Sequence, residues 1–355
     1  MIINQWVPAA HHGDAVGDDA RAVRDVLRSW GHESEIYALT IDEGLADEIR
    51  PWHDAAARDG DVTLLHFALP SPMTHALRTL PGARVLYYHN VTPAHFFAPF
   101  APALVRLSVI ARRELADLAG HVDLAVGVSE FNRQELDALG FRETAVLPIA
   151  VNAGRLTGAG PVPSLERLLD DGLANILFVG RIAPNKKIED HIRLAEAYKR
   201  YVDAHYRFIF VGRTDGVPHY YEAIQALIAE YQMLPERFWF TGPVPDRELA
   251  AYYRRAHAYV SLSEHEGFCV PLVEAMAMDV PVLAYASSAV PETLGGAGVS
   301  FSPKDLEQAA ELLGALVYDE ALRQQVLAGQ RRRLTEFSAA RFEARLRHVL
   351  APFAA

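Results

Sequence analysis

The sequence predicts an α/β protein with two doubly wound halves, each built around a parallel sheet. Apolar runs of strand length alternate with helix-sized segments along both halves, as they do in repeated βαβ units. A stretch rich in Gly and Pro, residues 153–163, separates the two series and is typical of a linker. With 355 residues, the chain is long enough for two domains that each bury a core of their own.

The first half begins with a predicted strand at residues 2–7. Asp18 or Asp19 is predicted to cap the next helix, which we expect to run to Trp30 and to stop at Gly31. Later apolar runs predict further strands at residues 34–39, 62–67, 85–88 and 124–128.

The second half starts with a predicted strand at residues 175–180. Further strands are predicted at residues 207–212, 238–242, 258–262 and 280–284, and amphipathic helices follow from residue 306 onward. Ligands bind at the carboxyl ends of the strands in open parallel sheets, so we expect the functional site at those ends, in a cleft between the halves.

Composition narrows the function. The formal net charge of -11 argues against a general nucleic-acid binder, which needs a basic face. The single cysteine, Cys269, leaves no internal disulfide and no thiolate metal cluster, and we expect it to be a small loop residue. No apolar run reaches the ~20 residues that span a bilayer, and the N-terminus lacks signal-peptide features, so we expect a cytoplasmic protein.

Two glutamates eight residues apart form the most informative motif. Glu266 follows a predicted strand, and Glu274 falls about one turn into a helix that Pro271 is suited to begin. The amides of the intervening residues offer an anion site at the helix N-terminus; these residues are Gly267, Phe268 and Cys269. Carboxylates beside such a site must accept hydrogen bonds from hydroxyls, as on a sugar or ribose. A solvated acidic rim is the alternative.

A second loop carries basic residues after the strand at 175–180. Gly180 and Arg181 are followed by Lys186, and Arg and Lys can pair with phosphate oxygens as a fork and as a point charge. A solvated basic loop before a helix is the alternative. Because this loop and the Glu266 loop both follow parallel strands, we expect them at the same sheet edge.

The segment 263–277 resembles the C-terminal signature of the retaining, nucleotide-sugar-dependent glycosyltransferases of family four, which have the two-domain GT-B fold. The resemblance implies that Glu266 contacts the transferred sugar and Glu274 the donor ribose, while Arg181 and Lys186 bind the diphosphate. It also implies that residues 288–292 form a Pro-Glu turn facing the sugar. Lys187 departs from the family, which usually has Gly there, so the turn is expected to differ.

The resemblance extends to other strand ends. The backbone near Val244 is expected to read the nucleobase, and His89 is expected to face the transferred sugar, where an uncharged imidazole can donate to a hydroxyl or carbonyl. His66 is a weaker candidate or a core histidine. Ser129 either lines the cleft or caps a helix. Gly13 and Asp14 are expected to make acceptor-side contacts, since small residues let the backbone approach a ligand.

Two patterns resemble metal-binding motifs, but we do not expect either of them to bind a metal. The pair His11 and His12 lacks a recognisable third ligand. The D-x-D segment at 59–61 precedes its strand and is interpreted as a turn. We therefore expect neither a metal nor another cofactor.

The resemblance implies three segments: an acceptor-binding domain at 1–155, a nucleotide-sugar donor domain at 156–336, and a helix at 337–355 that returns to the first domain. It implies a metal-independent retaining hexosyltransferase that uses a GDP- or UDP-sugar and a saccharide or lipid-linked acceptor, in cell-surface polysaccharide, glycolipid or glycoconjugate synthesis. An inactive nucleotide-sugar-binding scaffold and a GT-B sugar epimerase are the alternatives. Aromatic and basic residues between 95 and 113 predict either a membrane-surface contact or helix packing.

Overall fold

The computed structural model describes residues 1–11 and 13–353 and divides the chain into two compact units. The first unit contains Met1–His95, Pro102–Val151 and the chain from Phe337 onward. The second contains Phe96–Ala101 and Asn152–Glu336. The predicted boundary at 155/156 therefore lies slightly beyond the division at 151/152, and the short segment 96–101 belongs to the second unit.

The first unit is built on a parallel sheet of seven strands in the order β3-β2-β1-β4-β5-β6-β7. The strands are β1 Ile3–Ala10, β2 Ile36–Ile41, β3 Arg50–Pro51, β4 Val62–Phe67, β5 Ala83–Tyr88, β6 Leu124–Gly127 and β7 Thr144–Val146. Its helices in the first 151 residues are α1 Ala15–Ser29, α2 Pro72–Leu77, α3 Pro102–Asp117 and α4 Glu130–Ala138.

Alternation along the strands gives this sheet two buried faces. Trp6 packs in a cluster with residues of α2, α3 and α4, whereas the next residue, Val7, packs in another cluster with Ala20 of α1. Helices therefore cover both faces, as the predicted doubly wound pattern requires.

The second unit has a six-stranded parallel sheet in the order β10-β9-β8-β11-β12-β13. Its strands are β8 Ala174–Val179, β9 Tyr206–Val211, β10 Phe238–Gly242, β11 Ala258–Ser261, β12 Val282–Tyr285 and β13 Val299–Phe301. Its helices are α5 Gly154–Thr157, α6 Pro163–Leu168, α7 Ile188–Tyr201, α8 Pro218–Glu230, α9 Asp246–Arg255, α10 Val270–Ala277, α11 Val290–Leu294, α12 Leu306–Tyr318 and α13 Glu320–Leu334.

The last helix, α14 Ala339–Leu350, belongs to the first unit. Trp30 donates from Nε1 to Glu343 Oε1 at 2.7 Å, and the Arg347 guanidinium lies 4.2 Å from the centre of the Trp30 ring. Hydrogen bonding and a cation–π contact therefore hold the end of the described chain to the end of α1.

Some local predictions are wrong. Helix α1 is capped by Asp14, whose carboxylate accepts from the amide of Gly17, and not by Asp18 or Asp19, which lie inside the helix. The predicted linker contains α5 and the start of α6. None of the helices within residues 1–11 and 13–353 is long and apolar enough to cross a bilayer.

Candidate functional site

Two glycines let the loops after β8 and β9 approach each other. A Cβ built on Gly212 would lie 2.1 Å from the carbonyl oxygen of Gly180, so only glycine fits there. Gly212 has a φ of 144° and Gly180 a φ of 154°. Gly180 therefore contributes its backbone to the close contact between the two loops. Arg181, which is exposed, follows it directly.

Lys186 and Glu266 form the centre of the site in the second unit. The Lys186 ammonium lies 2.6 Å from Glu266 Oε1, and Glu266 is 7% exposed. The neighbouring Asn185 joins the same two loops, because its Nδ2 donates to the His265 carbonyl at 3.1 Å and its carbonyl accepts from the amide of Glu264 at 2.9 Å. The structure therefore brings together the basic loop and the first glutamate of the motif.

Lys187 adopts the backbone conformation that glycine would favour. Its φ of 54° and ψ of 51° lie in the left-handed region, between a short 3-10 turn at Pro184–Lys186 and α7. Its ammonium lies 3.0 Å from Glu189 Oε1 and 3.7 Å from Glu264 Oε2. The substitution of Lys for the usual Gly thus leaves a left-handed residue at this position.

The backbone of Glu266 is fixed by the segment that follows β12. Its amide donates to Ser288 Oγ at 2.8 Å, and its carbonyl accepts from the amide of Ala289 at 3.4 Å. Pro291 and Glu292 lie within helix α11, so the predicted Pro-Glu turn is wrong as a local structure. Ser288 is the residue of this segment that contacts the glutamate loop.

The residues between the two glutamates approach the N-terminus of α10. Cys269 caps this helix with a φ of 72°, and the Phe268 carbonyl accepts from Thr293 Oγ1 at 2.5 Å. Gly267 precedes them in the same loop. Burial, reinforced by the charge of Glu266, raises the pKa of the Cys269 thiol well above its usual range. Cys269 is therefore a buried loop residue and not an activated nucleophile.

Glu274 is buried on α10 against residues that the sequence did not single out. Arg155 of α5 binds its Oε1, and Tyr253 of α9 donates to its Oε2 at 3.0 Å. Arg155 also binds Asp246, the first residue of α9. Burial raises the pKa of Glu274, while the nearby guanidinium opposes the shift. The signal that could have indicated Arg155 is an arginine inside an otherwise Gly-rich segment.

Val244 follows β10 and is half-buried against the core of the second unit. The next residue, Pro245, occupies the N-cap position of α9, and Asp246 is the first residue of the helix. The backbone of Val244 thus lies at the carboxyl end of a strand, where its nucleobase role remains a prediction.

The first unit contains a buried polar cluster around His89. His89 follows β5, and its Nε2 lies 2.9 Å from Nδ1 of His66, whose Nε2 lies 2.9 Å from Gln5 Oε1. Asp19 Oδ2 lies 4.0 Å from His89 Nε2, and Asp19 Oδ1 accepts from the amide of Ala150 at 2.8 Å. Three of these residues could offer atoms to a metal within 4.8 Å of one another: Asp19, His66 and His89.

Burial sets the protonation of this cluster. It lowers the pKa of His66 to about 3 and holds the pKa of His89 well below its usual range, with a smaller contribution from His66. It raises the pKa of Asp19 to about 7, although the hydrogen bond from Ala150 opposes the shift. The two imidazoles are thus neutral at neutral pH.

The structure shows the local contacts of the other candidates of the first unit, and the acceptor-side contacts of Gly13 and Asp14 stay predictions. Ser129 caps α4 by accepting from the amide of Asn132 at 3.2 Å, which favours the capping alternative. Gly13 has a φ of 72°, and Asp14 caps α1. His11 contacts Asp42 at 2.8 Å, and His12 lies outside the described residues. The D-x-D segment ends directly before β4, as predicted.

A known protein family matches most of the second unit. Residues 166–333 match the model of the family described as glycosyl transferases group 1. This segment, just under half of the chain, is therefore similar to the group 1 glycosyltransferases. The resemblance drawn from the two glutamates and the basic loop is confirmed at this level.

Two of the curated relatives that the chain matches are named mannosyltransferases. The serotype-specific mannosyltransferase WbdA of Escherichia coli is 27% identical over 163 residues, which are 46% of this chain and 20% of the relative. The GDP-mannose-dependent alpha-mannosyltransferase of Mycobacterium tuberculosis (strain CDC 1551 / Oshkosh) is 28% identical over 234 residues, 64% of this chain and 57% of the relative. The chain thus covers about a fifth of the length of WbdA.

Solved structures identify the fold. Sucrose-phosphate synthase from Thermosynechococcus elongatus superposes with a TM-score of 0.76 at 16% identity, over 99% of this chain and 98% of that one. WaaG, a glycosyltransferase involved in lipopolysaccharide biosynthesis, gives a TM-score of 0.73 at 13% identity, over 98% and 99% of the two chains. The fold is GT-B, as the sequence predicts.

Proposed function

We propose that this protein is a retaining glycosyltransferase that moves a hexose from a nucleotide diphosphate sugar to a hydroxyl of a saccharide or lipid-linked acceptor. The process it serves is the synthesis of a cell-surface polysaccharide, glycolipid or glycoconjugate. The observation that carries the proposal is the 2.6 Å contact of Lys186 with Glu266, in two loops that follow adjacent parallel strands. The names of the mannosyltransferase relatives support GDP-mannose as the first donor to test, with UDP-glucose second, because a neighbouring solved structure holds it.

The proposed chemistry follows from charge. The bond between the anomeric carbon and the phosphate oxygen breaks, and its electron pair remains on the diphosphate. The acceptor oxygen forms the new bond to that carbon and loses its proton. In this proposal Arg181, Lys186 and the amides before α10 stabilise the growing negative charge, so it requires no metal ion or other cofactor.

Glu266 has a different role in this proposal. A buried carboxylate can accept hydrogen bonds from sugar hydroxyls, and its negative charge stabilises the positive charge that develops on the sugar in the transition state. Lys186 holds it by one of three ammonium hydrogens, which leaves the other two for phosphate oxygens. Glu274, which is also buried, would accept from the ribose hydroxyls. Retention of configuration rests on the family resemblance.

The test is release of nucleoside diphosphate from a panel of nucleotide sugars, with saccharide and lipid-linked acceptors. We expect release with at least one donor, and a fall of about two orders of magnitude or more in turnover for Lys186→Ala. Lys187→Gly is the matched control, since it removes the adjacent ammonium and restores the usual family residue; its turnover should stay near that of the unmodified protein. Near-normal turnover of Lys186→Ala would refute the leaving-group role.

The same assay separates the alternatives. A scaffold would gain thermal stability from a nucleotide sugar without releasing diphosphate, because ligand binding alone stabilises the folded state. An epimerase would convert the sugar in the absence of an acceptor. No release with any donor, even with acceptor extracts, would contradict the transferase proposal.

We also propose a peripheral contact with the inner membrane surface, through one face of α3. Arg106, Val109, Ile110 and Arg113 are exposed, and their spacing places them on the same side of the helix. Arg112 is not part of this face, because it donates to the Val91 carbonyl at 2.8 Å. Sedimentation with anionic vesicles tests the contact: Ile110→Asp should weaken it, and equal binding to neutral vesicles would argue against it.

A further inference from the structure

The first unit contains one more feature with chemical consequences, the hydrogen-bonded chain Gln5–His66–His89. All three side chains are buried, and one atom of the chain, Nδ1 of His89, has no hydrogen-bond partner among residues 1–11 and 13–353. Buried polar groups in folded proteins nearly always have partners, so an orphaned ring nitrogen calls for an explanation.

The direction of each hydrogen bond follows from the first residue. Gln5 donates from Nε2 to the Ala20 carbonyl at 3.0 Å, so the oxygen of its amide is the atom that faces His66. That oxygen can only accept, and Nε2 of His66 must therefore carry a hydrogen. Because His66 is neutral, its Nδ1 then has a lone pair and no hydrogen.

The same reasoning fixes His89. Nδ1 of His66 can only accept, so Nε2 of His89 must donate across the 2.9 Å contact. Since His89 is also neutral, its Nδ1 has a lone pair and no hydrogen. Nδ1 can accept a hydrogen bond but cannot donate one. This is opposite to the donor role expected for His89 from the sequence.

We propose that Gln5 and His66 are positioning residues that lock His89 as the Nε2–H tautomer, so that its Nδ1 accepts a hydrogen bond from a hydroxyl of the bound substrate. The proposal rests on the glycosyltransferase function proposed above and specifies the ligand chemistry at one atom. The hydroxyl belongs either to the transferred sugar or to the acceptor saccharide, and both sources share this chemistry. A ligand carbonyl or phosphate oxygen does not fit, because neither carries a hydrogen.

The geometry favours a hydrogen bond over a shared metal ion. Two nitrogens bound to one tetrahedral zinc at about 2.05 Å lie roughly 3.3 Å apart. The 2.9 Å between the His66 and His89 nitrogens is shorter and is the ordinary length of a hydrogen bond.

Nitrogen NMR on the full-length protein labelled with ¹⁵N-histidine tests the proposal directly. Long-range ¹⁵N–¹H correlations distinguish the two neutral tautomers, and His89→Gln identifies the His89 signals. We expect the Nε2–H form for both His66 and His89. An Nδ1–H form of His89, or loss of its Nε2–H signal on adding Zn²⁺, would overturn the proposal while leaving glycosyl transfer in place.

Titration then identifies the source of the hydroxyl. The Nδ1 resonance of His89 should move on adding a nucleotide sugar if the transferred sugar donates, or on adding a saccharide acceptor if the acceptor donates. Nucleoside diphosphate alone should not move it. A resonance that moves with the diphosphate alone, or with none of these probes, contradicts the substrate contact.

Variants of His66 connect the tautomer to turnover. His66→Leu removes the acceptor for His89, so both tautomers should appear and turnover should fall about tenfold. His66→Asn places an amide oxygen near the position of Nδ1 and should restore the Nε2–H form and most of the turnover. A purely structural role would give no tautomer change with His66→Leu and no selective rescue by Asn.

Discussion

Arg155→Met should destabilise the protein through the buried carboxylate of Glu274. The Glu274 side chain is 4% exposed and that of Arg155 is 29% exposed. Removing one partner of a buried ion pair costs about 3–5 kcal/mol; partial exposure of Arg155 lowers our expectation to about 2–3 kcal/mol at pH 8. Urea unfolding of the full chain measures the loss.

The pH dependence of this loss has a definite sign. Without Arg155, the pKa of Glu274, which burial already raises, rises further. Between the two pKa values, a carboxyl whose pKa is higher in the folded than in the unfolded state is protonated only in the folded state. The free energy of unfolding therefore falls as the pH rises through this range. The cost of Arg155→Met should therefore be smaller at pH 5 than at pH 8.

A double-mutant cycle isolates the interaction. Arg155→Met combined with Glu274→Gln should be less destabilising than the sum of the two single changes, by about 1–3 kcal/mol. Arg254→Met is the control, because Arg254 has the same 29% exposure but pairs with the more exposed Glu166; its cost should be about 1 kcal/mol. Additive effects in the cycle, or equal costs at both pH values, would refute the reasoning.

Two further predictions concern backbone strain and a buried acid. The free energy of unfolding of Lys187→Gly should be about 1 kcal/mol higher than that of Lys187→Ala. The left-handed φ of 54° costs alanine more than the greater flexibility of the unfolded chain costs glycine. Urea unfolding measures the difference, and an alanine variant as stable as the glycine variant would contradict the prediction. Asp19→Asn should become progressively more stable relative to the unmodified protein between about pH 4 and 7, by up to about 4 kcal/mol, because the pKa of Asp19 rises from 3.8 to about 7 on folding. If the difference in unfolding free energy between the two proteins stays constant across this pH range, the effect is ruled out.

Most of the architecture could be predicted because strand patterns are local. The strands Val62–Phe67 and Phe238–Gly242 have the predicted bounds, and the other predicted strands are found with shifted ends. Three short strands are not predicted, since runs so short have no readable period: Arg50–Pro51, Thr144–Val146 and Val299–Phe301. The predicted cap of α1 is wrong because Asp14, Asp18 and Asp19 all lie near the start of the same apolar stripe. The choice among them depends on where β1 ends, which is Ala10.

The candidate site could be predicted only where topology brings distant loops together. Lys186 and Glu266 are 80 residues apart, but both follow strands that a parallel sheet makes neighbours, so their meeting was foreseeable. Arg155 lies in no strand-end loop and is 119 residues from Glu274, so no pattern relates them. The orientation of His89 was also hidden, because it depends on which atom of Gln5 faces His66.

The buried acidic side chains of the two units have different neighbours, and each set of neighbours suits a different kind of ligand. In the second unit Glu266 and Glu274 each lie against a basic side chain, Lys186 and Arg155, near the loops proposed to hold a diphosphate. In the first unit Asp19 lies beside neutral imidazoles and burial favours its protonated form. A neutral network gains little from a charged ligand but can orient a hydroxyl through a single lone pair. This contrast is the physical reason to place uncharged hydroxyl groups at His89 and phosphate groups at Lys186.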